Sequence, residues 1–330
     1  MDAQYDVVVV GGGAAGLSGA LALGRARRSV LVVDSGAPRN APAGEMHNYL
    51  GRDGTPPGDL LAVGRAEVAG YGGTVVDGDV VRAAREGDGF TVALADGRSI
   101  RARRLLVTTG LVDELPPVPG LAERWGQDVL HCPYCHGWEV RDRAIGVLST
   151  GPGGVLKALL WRQWSADVTL FLHTGPEPTA EEEAQLAARG IAVVTGEVVA
   201  VESDGDRLTG IRLHSGQVVA RDALAVSPTF TARSAVLESL GLPVEPVGAM
   251  GHAVGTAVPA GAMGATAVAG VWVAGNVTDL MAQVITAAAA GLQAGAAINA
   301  DLLVEDVGLA VAAAPVEEHE LVPGPRGRRI

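Results

Sequence analysis

Apolar residues at the start of the chain form two strand-like runs with a helical segment between them. Residues 5–10 are a β-branched run, residues 17–27 place small and apolar side chains at helical spacing, and residues 29–33 are a second apolar run. The intervening turn reads Gly-Gly-Gly-Ala-Ala-Gly, which fits G-x-G-x-x-G, and an acid, Asp34, closes the second run. Such glycines allow a tight turn, a close approach of backbone N–H groups to a pyrophosphate, and close packing of helix on strand, while the acid accepts from a ribose hydroxyl. Residues 5–34 therefore predict a dinucleotide-binding unit.

The stretch up to about residue 115 predicts the remainder of this first domain. Residues 35–58 are rich in Gly, Pro, Asn and Arg, and irregular segments of this length in compact proteins are usually functional. A helix is expected over residues 60–70. The strands expected after it are residues 73–81, 90–94 and 99–106, followed by a buried strand over 105–107 that ends in the turn 108–110.

The pattern of strand, glycine-rich turn, helix and strand repeats from residue 144. The predicted elements are a strand over 144–148, a turn over 151–154, a helix over 155–164 and a strand over 168–172. Ser149 stands where the first glycine of the fingerprint would lie, and Pro152 removes a backbone donor. Neither an acid nor an arginine follows the last strand to hold a ribose diol or a 2′-phosphate. We therefore expect a nucleotide-type fold that has lost its nicotinamide site.

The rest of the chain predicts how the domains are joined. The proline cluster at residues 115–120 marks the first boundary. Two strands are expected over 208–213 and 217–226, and the strand 271–274, ending in Gly275-Asn276, precedes a small-residue helix over about 282–303 that packs back on the first domain. The expected fold class is α/β with two Rossmann-like domains, the second inserted into the first. The expected segments are a discontinuous first domain, 1–115 and 244–315, a central domain, 116–243, and a mobile tail, 316–330.

Composition excludes several classes of protein. The 330 residues are 48% hydrophobic and 19% charged, which does not suit a disordered chain, and the net charge of −12 disfavours nucleic acid as a partner. Acidic residues near Met1 do not fit an export signal. The apolar tract 265–304 is interrupted by Gly, Asn, Asp and Gln, so we expect no membrane segment and a cytoplasmic protein.

The two cysteines of the chain, Cys132 and Cys135, form a C-x-x-C motif between His131 and His136. Two thiols at this spacing on the first turn of a helix can form a short disulfide, and the helix dipole lowers the pKa of the more exposed thiol. Half of a zinc site and a pair of inert core thiols are the alternatives, although zinc would need further ligands. No metal is expected, and redox chemistry is the favoured interpretation.

Three motifs in this order make the chain resemble the low-molecular-weight thioredoxin reductase family. They are the N-terminal glycine motif, the C-x-x-C at the start of an inserted nucleotide fold, and the terminal segment Gly-Val-Trp-Val-Ala-Gly-Asn at residues 270–276. The resemblance covers roughly residues 5–305. It implies FAD as the cofactor, held by the discontinuous first domain, a dithiol that faces the isoalloxazine, and a homodimer.

The resemblance also implies the residues around FAD. Asn276 stands where the reductases carry an Asp that binds the ribityl chain, and an amide can still hydrogen-bond a hydroxyl. The implied FAD-binding residues are Gly11, Gly13, Ala14, Gly16, Asp34, Arg39, Asn40, His47, Asn48, Val80, Thr109, Gly110, Gly275, Asn276 and Val284.

Two departures make the chain similar to the FAD-dependent dithiol oxidases of the gliotoxin, holomycin and romidepsin pathways. His136 replaces the reductases' Asp after the second cysteine, and the nicotinamide motif is degraded. By this resemblance the catalytic residues are Cys132, Cys135 and His136, with His131 as a second candidate base. The substrates would be a small-molecule dithiol and O2, with H2O2 as a product. The alternatives are a thioredoxin reductase fed by NADPH, a ferredoxin or another flavin, and a non-catalytic flavoprotein redox sensor.

Overall fold

The computed structural model describes residues 4–249 and 252–314, and these form an α/β protein. The strands are β1 Gln4–Val10, β2 Val30–Asp34, β3 Thr74–Asp77, β4 Val80–Glu86, β5 Gly89–Leu94, β6 Ser99–Val107, β7 Leu111–Glu114, β8 Val129–Leu130, β9 Ile145–Leu148, β10 Val168–Phe171, β11 Ala192–Val194, β12 Val198–Asp204, β13 Arg207–Leu213, β14 Val218–Ala220, β15 Ala223–Ala225, β16 Thr229–Ala232, β17 Glu245–Ala249, β18 His252–Ala257 and β19 Val271–Val273. The α-helices are α1 Ala14–Arg25, α2 Pro57–Gly70, α3 Pro133–His136, α4 Gly154–Trp161, α5 Ala180–Ala188, α6 Ala235–Glu238 and α7 Val284–Ala313.

The first domain is built on one sheet in the order β3-β2-β1-β6-β5-β4, with β19 paired to β6. Strand β6 is parallel to β1 along one part and antiparallel to β5 along another, so the two strands expected over 99–107 are one strand. The single strand expected over 73–81 is instead two, because the chain leaves the sheet at Gly78 between β3 and β4. The carboxyl ends of β1 and β2 meet at one edge of the sheet, and this edge carries the glycine motif and Asp34.

Helices α1 and α7 pack tightly against each other on one face of this sheet. A Cβ atom added at Gly291 of α7 would lie 1.9 Å from the carbonyl oxygen of Ala15 in α1, and one at Gly295 would lie 2.8 Å from that of Gly19. The small residues of α7 therefore allow the backbones of the two helices to approach closely. This confirms that the C-terminal helix packs on the first domain, although it extends to Ala313. No helix among the described residues is long and apolar enough to cross a membrane.

The central domain contains a parallel sheet in the order β11-β10-β9-β15-β8 and a separate antiparallel sheet, β12-β13-β14. The predicted unit of β9, α4 and β10 is present. The single strand expected over 217–226 is wrong: β14 pairs with β13, whereas β15 pairs with β8 and β9. The break lies at Arg221 and Asp222, which lead the chain from one sheet to the other.

A fourth sheet, in the order β17-β18-β16-β7, lies where the chain passes between the two domains. Strand β16 pairs antiparallel with β7 of the first domain, and α6 packs against β4. Val236 and Leu237 of α6 belong to the same apolar core as β4, β5 and β6. Residues 229–243 therefore pack with the first domain, so the chain returns to it near residue 229 and not after residue 243 as predicted. The predicted mobile tail, 316–330, lies outside the described residues.

Candidate active site

A cavity of about 850 Å³ lies between the first domain and the start of the central domain. Its volume is within the range of sites for large ligands. The predicted site residues that line it are Gly11, Gly13, Ala14, Asp34, Arg39, Asn40, His47, Val80, Thr109, Gly110, His131, Cys132, Cys135, His136, Gly275, Asn276 and Val284.

The glycine motif forms the floor of this cavity at the start of α1. Gly11 has a φ of +102°, and a Cβ there would lie 2.6 Å from the carbonyl oxygen of Thr108. A Cβ added at Gly13 would meet no protein atom within 4 Å, although this residue lines the cavity. The first turn of an α-helix leaves its N–H groups without intrahelical acceptors, and these groups attract phosphate. Because the space beside Gly13 is open, the turn fits a pyrophosphate.

Gly16 was expected to allow close packing of helix on strand and, by the resemblance, to help hold FAD, and it does not line the cavity. A Cβ at this position would lie 1.9 Å from the carbonyl oxygen of Gly11 and 2.7 Å from Oγ1 of Thr108. The residue therefore allows α1 to pack against the turn that follows β1. This is the packing role of the third glycine in the motif.

The Asp34 carboxylate lies at the cavity wall with a partner for each oxygen. The backbone N–H of Gly12 donates to Oδ1 over 2.9 Å, and the Arg65 guanidinium of α2 donates to Oδ2. The sequence analysis did not single out Arg65, since its position depends on how α2 packs. Each carboxylate oxygen can accept a second hydrogen bond, so Asp34 still has the capacity to accept from a ribose hydroxyl.

Asn276 fixes the loop between β19 and α7. Its Nδ2 donates to the carbonyl oxygens of Asp279 over 2.9 Å and of Ala282 over 3.0 Å. An aspartate could not donate to these carbonyls, which explains why an amide suits this loop. Since the amide nitrogen is used within the loop, Oδ1 is the atom through which Asn276 can accept from a ligand hydroxyl in the cavity.

Cys132 caps the short helix α3, and Cys135 lies in its third position, as the motif predicted. A hydrogen bond from the Cys135 thiol, together with the N–H groups of Tyr134 and Cys135, lowers the pKa of Cys132 to about 7. The same interaction with Cys132 raises the pKa of Cys135, and burial raises it further. Near neutral pH, Cys132 is therefore the thiolate of the pair and Cys135 is the thiol.

His136 ends α3 beside a small group of charged side chains. Burial lowers the pKa of His136, while Glu139 opposes this effect and His47 adds to it. Nε2 of His47 lies 3.4 Å from Oε1 of Glu139 and Nδ1 lies 3.5 Å from Oδ2 of Asp53, so this ring links residues 45–53 to the central domain. No group of three or more His, Cys, Asp or Glu side chains in the described chain is arranged to hold a metal ion.

His131 points away from this group, toward a lysine that the sequence analysis missed. Its Nδ1 lies 3.2 Å from the carbonyl oxygen of Val226 and 3.4 Å from Nζ of Lys157, and its ring packs edge-on against Phe230. Burial, and then the charge of Lys157, lower the pKa of His131 to about 4. A base this weak is poorly suited to take a proton from a thiol near pH 7, so the environment favours His136 over His131.

Arg39 and Asn48 connect the irregular segment to its surroundings. Arg39 forms a two-pronged ion pair with Asp113, with bonds of 2.8 and 2.6 Å, and its guanidinium lies over the ring of Phe230. Asn48, which the resemblance implied among the FAD-binding residues, does not line the cavity. Its Nδ2 instead donates to the carbonyl oxygen of Tyr134 over 2.6 Å, inside the C-x-x-C motif. Asn48 has a φ of +62°, which asparagine tolerates better than most residues.

Ser149 occupies the nucleotide turn of the central domain with its own side chain. Its hydroxyl donates to the carbonyl oxygen of Gly151 over 3.2 Å, and the residue is buried. A Cβ added at Gly154 would lie 2.3 Å from the Ser149 hydroxyl, and one at Gly175 would lie 2.0 Å from it. The hydroxyl therefore fills the space between the start of α4 and the end of β10.

The comparisons with known proteins agree with this architecture. The family model described as pyridine nucleotide-disulphide oxidoreductase matches residues 5–291. The chain belongs to this family. It is therefore a thioredoxin reductase-like flavoprotein and an oxidoreductase.

Three relatives illustrate the match. Thioredoxin reductase tcpT of Claviceps purpurea is 32% identical over 266 residues, which cover 74% of this chain and 79% of the relative. Thioredoxin reductase sirT of Leptosphaeria maculans is 28% identical over 321 residues, which cover 92% of this chain and 96% of the relative. The crystal structure of HlmI superposes with a TM-score of 0.87 at 47% identity, covering 94% of this chain and 96% of HlmI.

FAD is the cofactor of this flavoprotein family, and the residues present fit it. The open space beside Gly13 and the carboxylate of Asp34 suit a pyrophosphate and a ribose. The cysteine pair lines the same cavity, at the end where the central domain meets the first. The residues that fit FAD and the cysteine pair therefore line one cavity.

Proposed function

We propose that this protein is an FAD-dependent dithiol oxidase that forms an intramolecular disulfide in a small molecule and uses O2 as the final acceptor. One observation carries the proposal. The thiolate-thiol pair and His136 line the cavity that fits FAD, while the side chain of Ser149 fills the turn that would hold a nicotinamide nucleotide. If the electrons do not come from a nicotinamide, the cysteine pair in this cavity can take them from a dithiol substrate.

Oxidation of a dithiol begins on the disulfide form of the enzyme. One substrate thiolate attacks Cys132, the enzyme S–S bond breaks, and a mixed disulfide forms while Cys135 leaves as a thiolate. In this scheme His136 takes the proton of the incoming thiol, because it follows Cys135 directly and its lowered pKa favours the neutral imidazole that can accept a proton. The second substrate thiol then displaces Cys132, and the substrate leaves as a cyclic disulfide.

Electrons and protons balance in this scheme. The substrate loses two electrons and two protons, and the enzyme disulfide gains the two electrons. When bound, FAD accepts this electron pair from the cysteines and passes it to O2, which gives H2O2. While Cys132 is held in the mixed disulfide it is uncharged, so the main effect that raises the pKa of Cys135 is absent and Arg39, which lowers that pKa, acts on it.

The implied homodimer is also part of the proposal. The C-terminal half of α7 carries apolar side chains that are largely exposed in the single chain, which supports a second copy as the partner of this face. These residues are Leu303, Val304, Val307, Leu309 and Val311.

Anaerobic titration of the purified flavoprotein tests the function. We expect dithiothreitol to bleach the visible flavin absorbance, NADPH to leave it unchanged, and air to restore it with uptake of one O2 per disulfide formed. Cys132→Ser should abolish the bleaching, because the enzyme then has no disulfide for the substrate thiolate to attack. His136→Gln should slow it by about 10²–10⁴-fold.

Each alternative function predicts a different result. Rapid bleaching by NADPH coupled to reduction of thioredoxin would replace the proposal with a thioredoxin reductase, the name that tcpT and sirT carry. Turnover that requires a reduced ferredoxin and shows no O2 uptake with dithiols would indicate the ferredoxin-linked form. Flavin that dithiol reduces but air does not reoxidise would indicate a redox sensor.

A further inference from the structure

Lys157 is the only lysine in the chain, and every other basic side chain apart from the histidines is an arginine. It lies on α4, at the start of the central domain's nucleotide-type unit. An arginine keeps its charge in nearly every protein environment, whereas a lysine changes its protonation readily when it is buried. Lys157 is therefore the one lysine or arginine side chain of this sequence whose charge can readily change with its surroundings.

The Lys157 ammonium is turned into the protein, behind the cysteine motif. Its Nζ donates to the carbonyl oxygen of Val226 and, over 2.9 Å, to the hydroxyl of Ser227, and it lies 3.4 Å from Nδ1 of His131. None of these partners of the Lys157 ammonium, all of them described residues, is a carboxylate. The hydrogen bonds therefore do not balance its positive charge.

The anionic group whose charge acts on the pKa of this lysine is the thiolate of Cys132. His131 contacts Lys157 and directly precedes Cys132 in the chain. Burial lowers the pKa of Lys157 to about 7, while the negative charge of Cys132 opposes this effect, and Lys157 in turn helps to lower the pKa of Cys132. The other charged groups that act on His131 are Arg39 and Asp113, which neutralise each other in their ion pair.

We propose that Lys157 is a positioning residue that, together with His131, stabilises Cys132 as the leaving thiolate when the cyclic disulfide is released. This inference rests on the proposed function, in which the second substrate thiol displaces Cys132. A thiol that forms a more stable thiolate leaves faster in thiol–disulfide exchange. When the S–Cys132 bond breaks, the electron pair remains on Cys132 and the adjacent ammonium balances the new charge. Once the enzyme disulfide forms again, this anion is absent and Lys157 favours its neutral form.

The wild-type protein tests this coupling directly, because a protein with one lysine gives one lysine signal. We propose to label lysine with ¹³C at Cε and to follow its NMR shift against pH in the disulfide and dithiol forms of the holoenzyme. Lys157 should titrate at a pH about one unit higher in the dithiol form, since a nearby opposite charge favours the charged state. Equal titration midpoints in the two forms would overturn the proposal.

Alkylation of the reduced holoenzyme by iodoacetamide gives a second, independent readout. In Lys157→Met we expect the pH midpoint of Cys132 alkylation to rise by about one unit, which is about tenfold less thiolate near neutral pH. Lys157→Arg retains the positive charge and should restore much of the low midpoint. Arg189→Met removes one exposed charge from the same domain and should leave the midpoint unchanged.

These measurements separate the failure of this inference from the failure of the proposed function. Neither the NMR titration nor the alkylation needs turnover, O2 or the natural substrate. A protein that fails as an oxidase but shows the two shifts would retain the coupling of Lys157 to Cys132. An active oxidase whose Cys132 midpoint does not change in Lys157→Met, with flavin content unchanged, would refute the role of Lys157.

Discussion

The charged neighbours of His131 and His136 give these two histidines different properties. His131 lies against Lys157 and Phe230, and its pKa falls to about 4. The lowering of the His136 pKa by burial is opposed by Glu139. A proton acceptor in catalysis needs a pKa near the working pH, so the acid–base role is better suited to His136. His131 is better suited to a structural role between Lys157 and the cysteine motif.

His131 should also make the stability of the protein depend on pH. Its pKa is about 4 in the folded chain, against an ordinary value of 6.5. Between these two values the unfolded chain binds more protons, so the contribution is fully present above pH 6.5 and is lost as the pH falls toward 4. We expect a loss of up to about 3 kcal/mol in the free energy of unfolding.

Urea unfolding of the wild type at about pH 7 and about pH 4.5 measures this loss. In His131→Leu the stability should fall less steeply over this interval, because the titrating group is absent. His214→Leu, at an exposed position, should keep the wild-type pH dependence. The same pH dependence in His131→Leu and the wild type would rule out this role of His131.

The packing of helix α1 against its neighbours requires glycine at two of its contact surfaces. Gly16 faces the turn after β1, and Gly19 faces Gly291 of α7. A Cβ atom added at Gly19 would lie 2.9 Å from the carbonyl oxygen of Gly291. Ala20 and Leu23 of the same helix are buried in one apolar cluster with residues of β1 and β2, so its apolar stripe packs on the sheet. The helix that presents its N-terminus to the cofactor cavity is therefore held by close contacts between backbones.

Gly16→Ala should destabilise this helix although the substitution adds only one methyl group. The added Cβ would lie 1.9 Å from the Gly11 carbonyl oxygen, so the turn itself must shift. We expect a loss of about 1–3 kcal/mol and a lower FAD content per chain. Thermal unfolding and visible absorbance measure the two effects. Gly58→Ala, in the first turn of α2 with open space around it, is the matched control; similar results for the two variants would argue against the clash.

Over the whole molecule, the segment between β2 and α2 connects the two domains. It binds Tyr134 of the cysteine motif through Asn48, contacts Glu139 through His47, and pairs with Asp113 on β7 through Arg39. These contacts hold the cysteine pair over the cavity of the first domain. If no nicotinamide binds, the central domain needs no second position for its reduction, and such contacts suit a single arrangement of the two domains.

Asn48→Gly should loosen this arrangement without straining the backbone, since glycine accepts a positive φ. We expect anaerobic bleaching of the flavin by dithiothreitol to slow several-fold, because the cysteines are less often in place, whereas the Cys132 alkylation midpoint stays unchanged. Stopped-flow absorbance measures the rate. Asn299→Ala removes an amide that accepts from Arg28 far from the cysteines and should leave the rate unaltered. An unaltered rate in Asn48→Gly would show that this contact does not hold the cysteines.

The predictions that succeeded from sequence depend on short-range signals. The glycine motif after β1, the cysteines on the first turn of α3 and the β9-turn-α4 unit each lie within a few tens of residues, and local backbone chemistry fixes them. Long-range packing fixes the rest. It brings β16 beside β7, Arg65 to Asp34, and Lys157 behind His131. No periodicity encodes such pairs, because residues far apart in sequence meet only through the arrangement of whole elements. The uniqueness of Lys157 was visible in the chain, but its position beside the cysteine motif required the fold.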